Sequence, residues 1–163
     1  MKRIALLLPL LLACTNTDED RVDAQTAPRG AEFRPVAQVL VARCASLDCH
    51  GSRYRNMHLY GFWSGRLDPE GRPDAPETTD AEVEANYQAV VSLEPAKLRE
   101  VIAEGGKDPE RLTFFRKGQE LEAHKGGRRI LPGDPADVCI RSWLASRTDA
   151  AACRAAVPRL AEE

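Results

Sequence analysis

Aromatic residues are scarce in this chain, 6% of 163 residues. Valine, leucine and alanine do most of the apolar work, a balance that suits a helix bundle more than a β-sandwich. No excess of positive charge is present: 23 lysines and arginines face 25 acidic residues, which is not a nucleic-acid-binding profile. The apolar run Ile4 to Leu12, interrupted by Pro9, falls far short of the roughly twenty residues of a permanent membrane span. There is no internal repeat. No serine–histidine–carboxylate set, phosphate loop or carboxylate pair stands out, so neither hydrolysis nor phosphoryl transfer is expected. Methionine is nearly missing: Met57 is the one left once the leader is removed.

The leader itself sets the compartment. Lys2 and Arg3 precede the short apolar run, the pattern of a secretory signal peptide. The run ends Leu11-Leu12-Ala13-Cys14, which resembles the bacterial lipobox. That resemblance implies cleavage after residue 13 and a lipid on Cys14; ordinary secretion with a free Cys14 is the competing reading. Burying acyl chains is favourable by about 0.8 kcal/mol per methylene. Thr15 rather than aspartate follows the lipid site, which favours the outer membrane over retention facing the periplasm. Either way the protein is expected in the cell envelope. Residues 14–32 carry Asp18, Glu19, Asp20, Asp23, Pro28 and Gly30 and almost no large apolar side chain. Such a segment cannot offset its ordering entropy and reads as a tether.

Residues 33–163 then form one domain of ordinary size, expected as a monomer. Without Lys2 and Arg3 the mature chain has 21 basic residues against 25 acidic ones. Cys139 and Cys153 bracket a turn, and in an oxidising compartment they should pair. A loop of that length contributes about 3 kcal/mol in the chain-entropy model.

Two cysteines remain, in Cys44-Ala45-Ser46-Leu47-Asp48-Cys49-His50. Cysteine, cysteine and an adjacent histidine, in that order, is the arrangement that attaches haem c. The thiols form thioethers with the porphyrin and the histidine ligates iron. The usual spacing leaves two residues between the cysteines; here there are four. Two other readings stay open. In one, Cys44 and Cys49 close as a disulfide in a non-haem interaction lipoprotein; in the other, they join His50 and either His58 or His124 around zinc.

Helical patterning surrounds the motif. Phe33 to Cys44 reads as a helix, with Pro35 in its first turn and Val36, Val39, Leu40 and Arg43 on one face, widened by Val41. It runs straight into the cysteine turn, the context a haem-c motif needs. Pro69, Gly71, Pro73 and Pro76 make a loop. Thr79 or Asp80 caps a second helix, reaching about Ser92, with Val83, Tyr87, Val90 and Val91 inward. Pro95 starts a third, with Leu98, Val101 and Ile102 inward and Gly105 as a left-handed stop. Asp134 and Pro135 open a helix carrying Val138, Cys139, Ile140, Trp143 and Leu144. Asp149 opens a last one through Cys153, ended by Pro158.

From Phe33 to Gly61 the chain resembles a cytochrome c-like domain of secreted and lipid-anchored proteins of planctomycetes and myxobacteria. Phe33, Pro35, Arg43, Cys44, Ser46, Cys49, His50 and Gly51 carry the likeness. The late run His124-Lys125-Gly126-Gly127 resembles a histidine-glycine stretch of the same family. The resemblance implies an all-α, cytochrome c-like bundle with long loops. It also implies covalent haem c and electron transfer to a redox partner protein whose identity the sequence leaves open. An electron carrier is expected rather than an enzyme. It further implies a closing helix that packs an aromatic residue, Trp143, against the first helix.

Iron would take His50 on one side. For the other side His124 ranks first, because it comes late in the chain and its two following glycines let backbone approach the ring closely. Met57 ranks second, since only seven residues separate it from His50; an open site ranks third. Arg53, Arg55, Arg116, Lys117, Arg128 and Arg129 are candidate partners for the propionates.

Overall fold

The first helix, α1 (Phe33–Cys44), forms where apolar residues recur at helical spacing. Phe33, Val36, Ala37, Val39, Leu40 and Val41 are all buried. Such a broad stripe has neighbours on several sides: α2 (Asp80–Val91), α5 (Pro135–Leu144) and α6 (Ala150–Ala156) all pack on α1. Each large side chain so buried is favourable by about 1.5–3 kcal/mol. Two further helices, α3 (Pro95–Ala103) and α4 (Thr113–Gly118), complete the set, with single 3₁₀ turns at Gly30–Glu32 and Pro109–Arg111. The chain is therefore all-α among the described residues, with no strand.

The structure, a computed structural model, describes residues 28, 30–62, 64–70, 75 and 77–157. The leader 1–13, the lipidation site Cys14, most of the tether and Pro158 lie outside them. No described helix is long and apolar enough to cross a membrane.

Capping decides where the helices begin. Thr79 accepts from the N–H of Glu82, and Glu82 accepts in return from the N–H of Thr79, a capping box at the start of α2. Asp134 caps α5 through the N–H of Asp137, and Asp149 caps α6 through Ala151 and Ala152. Pro95 and Pro135 occupy first turns, where no donor is lost. Gly105 and Gly106, at φ +71° and +79°, end α3.

Trp143 meets α1 as expected. It is fully buried, with its ring 5.0 Å from that of Phe33, and Tyr87 of α2 joins them at 5.4 Å from Phe33. Cys139 and Cys153 are bonded, S–S 2.01 Å, and tie α5 to α6.

The boundary of the domain needs correcting. Pro28 is buried and its carbonyl accepts from the Tyr87 hydroxyl. Gly30–Glu32 form a turn, and the Glu32 carboxylate accepts from the N–H and hydroxyl of Thr148. The last residues of the expected tether belong to the fold, because their few polar groups find partners on α2 and on the loop before α6.

Candidate functional site

At the end of α1 the backbone turns back on itself. His50 N–H donates to Cys44 C=O (3.0 Å), and the Ser46 carbonyl accepts from both Cys49 N–H (2.8 Å) and Gly51 N–H (3.0 Å). The two extra residues between the cysteines are absorbed by a tip, with Leu47 turned out to solvent. Gly51 closes the turn. A Cβ there would sit 2.3 Å from the Ala45 carbonyl oxygen and 2.6 Å from Ser64 Oγ. Cys44, Cys49 and His50 all line one cleft of about 620 Å³, which Leu40, Met57, Phe114, His124 and Ile130 also line. That volume lies within the range of cofactor sites, and the lining combines apolar side chains with charged ones such as Asp48, Arg55, Lys117 and Lys125.

Two histidines, His50 and His124, line the cleft close to one another. His50 Nδ1 donates to the Met57 carbonyl (2.8 Å), and His124 Nδ1 donates to the Gly127 carbonyl (3.0 Å). A carbonyl only accepts, so in the neutral form of each ring the proton sits on Nδ1 and Nε2 is left as the lone pair. Histidines that bind metals are commonly held by such a bond from the other ring nitrogen. The ring centroids lie 6.3 Å apart, with 30° between the planes. Two imidazoles bound to one ion from opposite sides, at metal–nitrogen distances of about 2.0–2.1 Å, have centroids about 6 Å apart. Burial chiefly holds His50 below the usual histidine range. The Met57 carbonyl pulls the other way, and the charges of His124, Arg55 and Lys117 depress it further. Its ring is neutral near pH 7, as ligation requires.

The thiols differ from the histidines. Burial pushes Cys44 up to about 12, against the lowering charge of Arg129, with Cys49 raising it and Arg43 lowering it. At neutral pH Cys44 is a thiol. Cys44 and Cys49 are not bonded to each other. Among the described residues no three His, Cys, Asp or Glu side chains gather into a metal-holding group, so the four-ligand zinc set is not assembled. His58 is engaged elsewhere: its Nε2 bonds the Gly51 carbonyl (3.1 Å) and its ring packs on Tyr60 at 4.1 Å. Met57 is buried in the core, and its carbonyl is the group that holds His50.

Of the six proposed cationic donors, Arg55 and Lys117 line the cleft, joined by Lys125, which the sequence reading had not singled out for that role. Arg129 is near enough for its charge to act on Cys44. Arg116 serves the fold instead, bonding Glu122 (2.6 Å), the carbonyls of Glu110 and Arg111, and Thr113. Arg53 lies over the Tyr54 ring, and Arg128 pairs loosely with Glu120.

Sequence reasoning passed over two supporting residues. Asn86 is fully buried on α2; it accepts from Tyr60 N–H (2.8 Å) and donates to Tyr60 C=O (2.9 Å). Buried Ser64 donates to the Leu59 carbonyl (2.6 Å). Asn86 at least bore a signal: an amide on the apolar face of a helix must find a partner.

No protein-family model matches the chain, and no curated protein or solved structure matches it either.

Proposed function

We propose that the protein is a lipid-anchored c-type haem protein that carries electrons in the cell envelope, with a cytochrome c-like bundle around its cleft. The observation that carries this reading is the pair of imidazoles 6.3 Å apart in the cleft. Their Nε2 atoms are unbonded among the described residues and their centroid separation suits a single iron between them. Both cysteines of the attachment motif line the same cleft. The donor set fits the group: two imidazoles whose Nδ1 atoms are held by carbonyls, and two thiols whose thioethers would carry no charge into the cleft wall. Cys44 and Cys49 would hold haem c by thioethers, His50 and His124 by iron ligation, and Arg55, Lys117 and Lys125 would face the propionates. Met57 fixes His50 through its carbonyl, so His124 is the residue that would supply the second iron ligand.

Haem c, when bound, supplies one-electron redox chemistry. The chain's contribution is to fix both imidazole tautomers, exclude water with Leu40, Phe114 and Ile130, and keep the cysteine turn rigid. With His50 and His124 both holding the iron, the group would serve electron transfer to a partner protein. A lipid on Cys14 would hold the domain at the membrane.

The four-residue spacing favours the alternative, a Cys44–Cys49 disulfide in a non-haem interaction module. Production in a host with cytochrome c maturation separates the two. The tryptic peptide Cys44–Arg53 should carry a tetrapyrrole adduct, and the reduced protein should show the sharp bands of low-spin haem c. A colourless product whose peptide has the mass of an internal disulfide would overturn the haem reading. Cys14→Ser should release the protein from membranes; unchanged fractionation would remove the anchor.

A further inference from the structure

We propose that Asn86, on α2 and remote from the cysteine turn in sequence, is a positioning residue that sets the orientation and tautomer of His50. The segment Met57-His58-Leu59-Tyr60 forms a bracket, and each member is engaged. Met57 C=O accepts from His50 Nδ1 (2.8 Å). His58 Nε2 bonds Gly51 C=O (3.1 Å). Leu59 N–H donates to His50 C=O (2.7 Å). Tyr60 exchanges both of its backbone groups with the Asn86 amide, at 2.8 and 2.9 Å. Three of the four links join the bracket to the cysteine turn, which is itself a loop. The fourth joins it to a helix, and Asn86 is fully buried there. The Asn86 amide does what a neighbouring peptide does in a sheet, satisfying one N–H and one C=O together. Removing it strands both Tyr60 groups, at a desolvation cost, and frees the bracket to move away from His50.

The carbonyl of Met57 does more than hold the ring in place. A hydrogen bond from Nδ1–H fixes which nitrogen is left for a metal and raises the basicity of that nitrogen. Asn86 therefore regulates the electron-donating power of His50 without touching it. This inference deepens the haem reading, but its central observable belongs to the protein alone.

The test compares Asn86→Leu, Asn86→Gln and Val90→Ala. Val90 is buried on the same helix and has no part in the bracket, so its variant reports plain loss of packing. In the haem-free chain, nitrogen NMR should find His50 in one tautomer, protonated on Nδ1, in the native protein and in Val90→Ala. Asn86→Leu should show a mixture of tautomers and at least tenfold faster exchange of the Nδ1 proton. Asn86→Gln, which keeps both bonding groups, should recover part of the difference. Where haem is incorporated, Asn86→Leu should raise the reduction potential and Val90→Ala should leave it unchanged. A His50 signal equally affected in Asn86→Leu and Val90→Ala would overturn the inference. A colourless protein in which Asn86→Leu alone disturbs His50 would overturn the haem reading and leave the positioning role standing. Should Asn86→Leu fail to fold, Asn86→Gln against Val90→Ala decides by the same His50 readout.

Discussion

Gly51 shows how one atom can govern the site. No positive φ is involved; the demand is for space, since the position of a Cβ is already filled by the Ala45 carbonyl and Ser64 Oγ. Gly51→Ala must push the turn open, and overpacking of this kind costs about 1–3 kcal/mol. The expected outcome is a lower unfolding midpoint together with reduced haem incorporation, measured by pigment absorbance per protein. A fully stable variant with native pigment content would show that the turn is looser than its contacts imply. His124 tests the opposite wall. It is half-buried on a loop, so His124→Ala should leave the fold intact while converting a low-spin spectrum to a high-spin one. An unchanged spectrum removes His124 from the iron. Cys44, Cys49, His50 and His124 were legible in the sequence because order along the chain and flanking glycines announce them. The closeness of His50 and His124 was not, because the carbonyls of Met57 and Gly127 that hold the two rings could come from any residue.

Elements were legible where local chemistry ends them. The caps of α2, α5 and α6 and the proline at the start of α3 lie within three residues of what they satisfy, so the sequence carries the whole device. Helix α4 was not read as a helix, since six residues with two phenylalanines and a glycine have neither period nor cap. The buried ion pair of Arg66 with Glu82 was equally hidden, because its partners are sixteen residues apart across a proline-rich loop. Arg66 donates to both Glu82 oxygens (2.7 and 2.8 Å) and to the carbonyls of Ala75 and Glu77, so α2 holds that loop in place. Burial raises the Glu82 carboxyl, but the hydrogen bonds from Arg66, Thr79 and Leu67 outweigh it and leave it below the usual range. The native state thus holds fewer protons than the unfolded chain as the group titrates. Its stabilisation is complete above the ordinary glutamate value, and is lost as pH falls through the lower native one. Glu82→Gln should flatten the acid limb of a plot of stability against pH. Arg66→Ala strands a buried carboxylate and should cost about 3–5 kcal/mol, read by urea unfolding at pH 7. An acid limb unchanged in Glu82→Gln would mean that other carboxylates set it.

At the scale of the whole molecule, both ends of the described chain are fastened around α1. At the far end the Cys139–Cys153 disulfide joins α5 to α6, and Arg43 at the end of α1 donates to the Ala156 carbonyl (3.1 Å). At the near end Pro28 and Glu32 reach Tyr87 and Thr148. Polar composition made this near segment read as tether, since its contribution comes from a buried proline, one carbonyl and one carboxylate rather than from an apolar stripe. The difference can be measured. A chain starting at Pro28 keeps both fastenings, whereas one starting at Phe33 loses them and exposes Tyr87 beside Phe33 and Trp143. Hydrogen bonds to a charged group contribute about 1.5–3 kcal/mol, so the shorter chain should be less stable by about 2–4 kcal/mol in urea, and the longer one equal to the mature protein. Equal stability of the two would return residues 28–32 to the tether. The loss should also reach the cleft, because Asn86 is one residue from Tyr87 on α2: the shorter chain should exchange the His50 Nδ1 proton faster, whereas reducing the Cys139–Cys153 disulfide should lower stability by about 3 kcal/mol with a smaller effect on that proton.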